Sequence, residues 1–136
     1  MIRYQVGNDL DIDKVIELYQ ASTLGERRPI DDRDRMSQMI HRANLVITAW
    51  DADLIVGISR AISDFSYATY LSDLAVRKSY QKQGIGKELI RRTQVESGLD
   101  ATLILLSAPA AENYYPKIGL THYPQGWVLY PGQSVR

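Results

Sequence analysis

The chain has 136 residues, 45% of them hydrophobic and 24% charged, which fits one globular domain with its own core. Its 16 basic and 16 acidic side chains cancel, so no global field recruits nucleic acid or an anionic membrane. It contains no cysteine, which excludes disulfides, thiolate metal sites and a cysteine nucleophile and fits a reducing compartment.

The opening MIRYQVGNDL lacks the long apolar stretch of a signal peptide, and apolar runs such as LILL are too short to span a bilayer. A cytoplasmic protein is expected. IRYQV reads as a first strand. From Asp11 the pattern turns helical, with Ile12, Val15, Ile16 and Tyr19 on one stripe and Asp9 or Asp11 as N-cap. Gly25 and Pro29 break that helix. Asp31 or Asp32 caps a second, whose stripe is Met36, Met39, Ile40 and Ala43. NLVITAW and LIVGISRAI, joined by the short turn DAD, form a hairpin, and ATYLSDLAV is a further strand.

A third helix follows and ends near Gly98. The nearly all-apolar ATLILLSA is expected to be a strand buried on both faces. PAAENYYPKIG suggests a short helix stopped by Gly119, and LTHY and GWVLY would be closing strands. No repeat, low-complexity tract or linker divides the chain, so residues 1–136 read as a single domain. The strand–helix–strand unit from Tyr70 to Ser107 should be a right-handed parallel crossover, and the earlier hairpins antiparallel. The expected class is α/β, with a mixed, mostly antiparallel central sheet and flanking helices.

The chemistry concentrates in YQKQGIGKEL, residues 80–89. A helix N-terminus presents up to four unpaired N–H groups and about half a positive charge, and so attracts anions. Gly84 and Gly86 lack a Cβ and let a phosphate approach the backbone, while Lys82 and Lys87 add positive charge. A Walker loop fails here, because Gln81 stands where its first glycine belongs and Glu88 where its Ser or Thr belongs. A dinucleotide fingerprint fails at Leu89, where a third glycine is needed. The pattern Gln/Arg-x-x-Gly-x-Gly/Ala fits Gln81–Gly86. A plain glycine turn before a helix fits the hexapeptide alone equally well.

The surroundings separate these readings. The hexapeptide follows a strand ending in LAV and opens an amphipathic helix, and NYYPKIGL follows about thirty residues later. Together these resemble the GNAT family of N-acetyltransferases, most sharply over residues 70–90 and 110–120. The resemblance implies that Gln81, Lys82, Gln83, Gly84, Ile85, Gly86 and Lys87 wrap the pyrophosphate of acetyl-CoA. It implies that Leu74, Ala75 and Val76 lie along the pantetheine arm, paired through the backbone of Leu74 and Val76 as a peptide pairs with a sheet edge. The family makes that edge by splaying the two central parallel strands.

The resemblance also places Tyr115 near the thioester sulfur, as a general acid for the departing thiolate or as a packed CoA contact. Tyr114 packs the core. A thiol of pKa about 8.5 set against a phenol of about 10 makes that proton transfer uphill by roughly 2 kcal/mol before any tuning. The base is less plain. Tyr70, Ser72, Leu74 and Val76 share one strand face, and none is the glutamate that many relatives carry there. Asp73 points to the opposite face, where holding a neighbouring loop is its expected task. A water relay or an already neutral amine are the alternatives. The oxyanion would be held by a backbone N–H near Leu74.

Arg27 and Arg28, in the region that borders the acceptor pocket in the family, either select a carboxylate-bearing substrate or belong to a solvated loop. Tyr67, Tyr70 and Ser72 are further pocket candidates. No histidine–carboxylate spacing suggests a metal. The leading expectation is an acetyl-CoA-dependent N-acetyltransferase in which a primary amine, more readily that of a small molecule, attacks the thioester directly. A CoA-binding regulatory or interaction module without turnover is the alternative, and a purely structural partner domain is a third reading. A homodimer through late strands such as GWVLY is a further expectation.

Overall fold

The computed structural model describes residues 1–136 and divides into two compact units, Met1–Leu106 and Ser107–Arg136. The first carries five strands and three α-helices in the order β1 (Ile2–Val6), α1 (Ile12–Gln20), α2 (Arg33–Arg42), β2 (Leu45–Asp51), β3 (Leu54–Ser63), β4 (Ala68–Val76), α3 (Ile85–Ser97) and β5 (Thr102–Leu105). The strands form one sheet in chain order, antiparallel from β1 to β4 and parallel between β4 and β5. The mixed sheet and its parallel crossover are those expected from the sequence.

Alternation along the central strands builds a core on each face of the sheet. Val46, Ile55, Ile58 and Ala75 pack with Val15, Leu18 and Tyr19 of α1 and Met36 and Ile40 of α2. Ile47, Ala49 and Val56 pack with Ile85 and Leu89 of α3. Gly57 seats α3, because a Cβ there would come within 3.0 Å of the Leu89 side chain and 3.2 Å of Ile85. Asp11 caps α1 by accepting from the Asp13 N–H, and Asp32 caps α2 by accepting from the Arg35 N–H.

Two features shape β4. Arg60 and Ala61 are consecutive on β3, yet their partners are Asp73 and Leu71. Ser72 is therefore an extra residue, a bulge of the kind that bends a strand. Pairing with β5 covers only Ala68–Leu71. From Ser72 to Val76 the β5 side of β4 is a free edge, and the bulge lies where the strands part.

Three expectations are corrected. Residues 102–105 are not buried on both faces: Ile104 remains 47% exposed because β5 is the last strand of the sheet. In the second unit PAAENYYPKIG forms two separate 3-10 turns, Pro109–Ala111 and Tyr115–Ile118, with Gly119 at φ 101° ending the latter. LTHY and GWVLY form no strand, since a β-prone segment becomes a strand only where an edge pairs with it. No helix is long and apolar enough to cross a membrane.

Candidate active site

Arg77, just after β4, fixes the approach to α3. It forms a two-pronged ion pair with Glu17 of α1, at 2.6 and 2.7 Å, and donates to the Ile55 carbonyl. Burial is slight there, and the Arg77 hydrogen bonds hold the Glu17 carboxyl below its usual pKa. The Lys78 N–H donates to the Ala21 carbonyl and the Tyr80 hydroxyl to Asp51. The chain then reverses through two left-handed residues, Lys82 at φ 65° and Gly84 at φ 83°. A β-branched residue is strongly disfavoured at such an angle, so the turn favours glycine at position 84.

Helix α3 opens without a side-chain cap, unlike α1 and α2. Its first hydrogen bond runs from the Glu88 N–H to the Gly84 carbonyl, which leaves the N–H groups of Ile85, Gly86 and Lys87 without intrahelical acceptors. A Cβ at Gly84 would meet nothing within 4 Å, and one at Gly86 would lie 3.8 Å from Val76 and 4.0 Å from Leu74. The fold itself therefore does not need a bare Gly86. Gly86→Ala should leave the melting temperature unchanged within about 2 °C or raise it, since alanine favours helix by roughly 1 kcal/mol. Thermal unfolding of the two proteins checks this.

The free edge of β4 adjoins this turn. The Arg77 N–H donates to Val56 on β3, so by strand alternation the polar backbone groups of Leu74 and Val76 point the other way, from the free edge. The Val76 carbonyl accepts from Gln81 Nε2 at 3.0 Å. The Ser72 carbonyl accepts from Arg28 Nη2 at 2.9 Å. Leu74, between them, presents both its N–H and its C=O.

The structure thus brings Leu74 and Val76 beside Gly86, with Lys82, Gln83 and Lys87 exposed around the turn. Ala75 and Ile85 are buried, each 3% exposed, and offer the site only their backbones. Tyr67 and Tyr70 are exposed. Tyr67 is tied through its N–H to Asp64, and its carbonyl accepts from the Thr102 N–H. Arg27 is exposed, while Arg28 turns inward.

Arg28 turns toward Asp73, which is 1% exposed. The Asp73 carboxylate accepts from Arg28 Nε at 2.7 Å, Arg60 Nε at 2.6 Å and the Tyr19 hydroxyl at 2.7 Å. Ser72 joins through its hydroxyl, which accepts from Arg60 at 2.9 Å and lies 3.2 Å from Asp73. Burial alone would raise the Asp73 pKa, but Arg60 first and then Arg28 outweigh it and hold the carboxyl below its usual value. Burial and the Asp73 charge push the Tyr19 phenol far up, so it remains a donor. Asp73 holds the loop after α1 against β4, as expected. Sequence reasoning missed Arg60 and Tyr19 as its partners. The available signal was a lone charge in each of two apolar strands, LIVGISRAI and ATYLSDLAV, with the acid facing inward.

Tyr115 belongs to the second unit. It opens the 3-10 turn at Tyr115–Ile118 and is half-buried. Its ring meets Tyr114 edge to face at 5.4 Å. No group of three or more His, Cys, Asp and Glu side chains is placed to hold a metal.

These elements define an α/β domain whose mixed sheet parts between its two parallel strands beside an uncapped glycine turn. The chain belongs to the GNAT acetyltransferase family, whose acetyltransferase (GNAT) domain matches residues 20–123. It is similar to an uncharacterized ycf52-like N-acetyltransferase of Prochlorococcus marinus, with 27% identity over 124 residues and 86% of this chain covered. The chain spans 66%, about two thirds, of that relative's length. A GNAT family acetyltransferase from Streptococcus pneumoniae TIGR4 has a TM-score of 0.77 at 22% identity, covering 98% of this chain and all of its own. An aminoglycoside N-acetyltransferase, AAC(6')-Iy, solved in complex with CoA has a TM-score of 0.73 at 14% identity, covering 98% and 96%. At these identities the two structures speak to the fold. Acetyl-CoA is the donor that the family uses.

Proposed function

We infer that this protein is an acetyl-CoA-dependent N-acetyltransferase that works as a single domain in the cytoplasm on a primary amine, that of a small molecule. The observation that carries this reading is the uncapped N-terminus of α3 beside the free backbone of Leu74. The turn from Gln81 to Lys87 would receive the pyrophosphate, with Lys82 and Lys87 supplying charge. Gln81 would act through its backbone, since its side-chain amide already donates to Val76. Leu74 and Val76 would pair with the pantetheine arm, and Ala75 would hold the strand in place. The donor supplies an activated acetyl group as a thioester.

Acetyl transfer forms a bond from the amine nitrogen to the acetyl carbon and breaks the bond from that carbon to sulfur. The Leu74 N–H would hold the carbonyl oxygen as it gains charge, Tyr115 would give its phenolic proton to the leaving thiolate, and the proton shed by the amine nitrogen would pass to water, from which the tyrosinate regains its own. Of the two arginines proposed for the acceptor pocket, Arg27 is the one available to a substrate carboxylate, because Arg28 is paired with Asp73. Tyr67 and Tyr70 would line that pocket, with Ser72 at its floor.

Titration calorimetry tests the donor site. Acetyl-CoA should bind the full chain, and Gly84→Val should weaken binding at least 10-fold, because the substituted residue resists the φ of 83° that aims the amides. Absence of binding heat, together with no protection against thermal unfolding, would overturn the reading.

One observation favours the alternative, a CoA-binding regulatory module without turnover. The α3 face of β4 carries no carboxylate, and the strand's only acid is neutralised by two arginines. Thiol release with a panel of amines separates the two readings, since the module binds the donor and releases no thiol.

A further inference from the structure

Two arginines converge on Asp73, and the carboxylate needs only one of them. Arg60 at 2.6 Å, with the Tyr19 hydroxyl at 2.7 Å, already neutralises and hydrogen-bonds it. Arg28 brings a second cation, its side chain only 21% exposed, so two positive groups face one negative group. A cluster built for stability alone gains nothing from that surplus, because withdrawing an extra ion from water is costly. The remaining contacts of Arg28 point to another task.

Each nitrogen of its guanidinium has its own acceptor. Nε donates to Asp73 Oδ1 at 2.7 Å, Nη1 to the Arg27 carbonyl at 2.8 Å and Nη2 to the Ser72 carbonyl at 2.9 Å. The bond to Arg27 orients the fork from its own loop, where Arg28 follows the 3-10 turn Thr23–Arg27 in extended backbone. The bond to Ser72 is made at the bulge, where no residue of β3 or β5 stands opposite.

Two peptide planes meet at the Asp73 Cα. The one before it carries the Ser72 carbonyl, and the one after it carries the Leu74 N–H. Each plane is rigid, so rotation about the two backbone bonds of Asp73 sets where the Leu74 N–H points relative to the Ser72 carbonyl. Arg28 grips this joint twice, by the carbonyl of the first plane and by the side chain of the joint itself. A planar fork reaches both acceptors in one fixed geometry, and an ammonium does not.

We propose that Arg28 is a positioning residue for acetyl transfer: it braces the bulge so that the Leu74 N–H stays aimed at the oxygen that gains charge. Its effect on rate rests on the acetyl-transfer reading, and its effect on the amide does not. An N–H that wanders from that oxygen forfeits stabilisation of the transition state without loosening the hold on the rest of the donor.

Arg28→Lys keeps a cation for Asp73 and loses the fork. It should lower kcat by about 10–100-fold while CoA, which has no acetyl oxygen, binds within about threefold of wild type. The melting temperature should stay within about 5 °C of wild type. The residual dipolar coupling of the Leu74 N–H, which reports the direction of that bond, should change, while that of Arg77, anchored to the Val56 carbonyl, should not. A Leu74 coupling unmoved in both Arg28→Lys and Arg28→Ala overturns the proposal, as does a wild-type kcat in both. A parallel fall of kcat, CoA affinity and melting temperature would make Arg28 merely structural and overturn it too. If the wild type binds CoA yet releases no thiol with any amine, the transfer reading fails, and the Leu74 coupling alone decides whether Arg28 braces the bulge.

Discussion

Replacing Asp73 by alanine should cost about 3–5 kcal/mol and lower the melting temperature by on the order of 10–20 °C. The reason is what the substitution leaves behind. Arg60 is 8% exposed and its guanidinium is aimed at the lost carboxylate, with Met39 and Ser72 as its remaining partners. Arg28 loses the same partner, and the Tyr19 hydroxyl keeps a proton with no acceptor in a buried position. Removing one member of a buried ion pair strands the other charge, which is far costlier than removing both. Combining Asp73→Leu with Arg60→Met should therefore recover a large part of the loss.

The same carboxylate sets a pH dependence. Its folded pKa lies below the unfolded value of about 3.9. Its contribution is thus complete above that unfolded value and is lost as pH falls through the depressed folded value. Chemical denaturation at pH 7 and at pH 3 should show the gap between the wild type and Asp73→Ala narrowing in acid. A melting temperature within about 3 °C of wild type at pH 7 would show that the cluster does not hold the loop.

Tyr115→Phe should lower kcat by on the order of 10²–10³ while changing the dissociation constant for CoA by less than about twofold. The substitution removes one hydroxyl and keeps the ring, so the edge-to-face contact with Tyr114 remains. A thiolate that leaves unprotonated is the better nucleophile for the reverse step, and an acid matters for that reason. The phenol is an uphill donor by roughly 2 kcal/mol at ordinary pKa values, a gap that a neighbouring positive helix end narrows. Steady-state kinetics, with calorimetry of CoA, read both effects. Equal turnover by the two proteins would reduce Tyr115 to a contact.

Most of the first unit was legible in the sequence because its signals are local. Asp11 and Asp32 sit where the helices begin, and the apolar stripes of α1 and α2 are the ones buried. Alternation set Leu74 and Val76 apart from the inward Asp73 correctly, but it failed at the bulge, where the Ser72 hydroxyl turns to the Asp73 cluster and the face of Tyr70 changes with it. What failed depended on partners. The run at 102–105 is apolar enough for a central strand, yet whether a neighbour covers it is not written in its own residues. LTHY and GWVLY have strand composition, yet neither forms a strand. The Ser72 bulge has no glycine or proline to announce it, and Arg60 became visible only when β3 and β4 lay side by side. The glycine turn was legible because it depends on backbone freedom, which residue type alone discloses. For Tyr115 the sequence supplied only a resemblance.

The bare opening of α3 has a consequence for how this protein rests between encounters. Asp11 and Asp32 each steady a helix by about 1 kcal/mol, and nothing equivalent steadies the third. Its first turn should fray more readily than the rest when empty and tighten when an anion arrives. An acid placed at that mouth would firm up the idle molecule and repel its guest. On the reading proposed above, the turn gives up stability in return for being receptive.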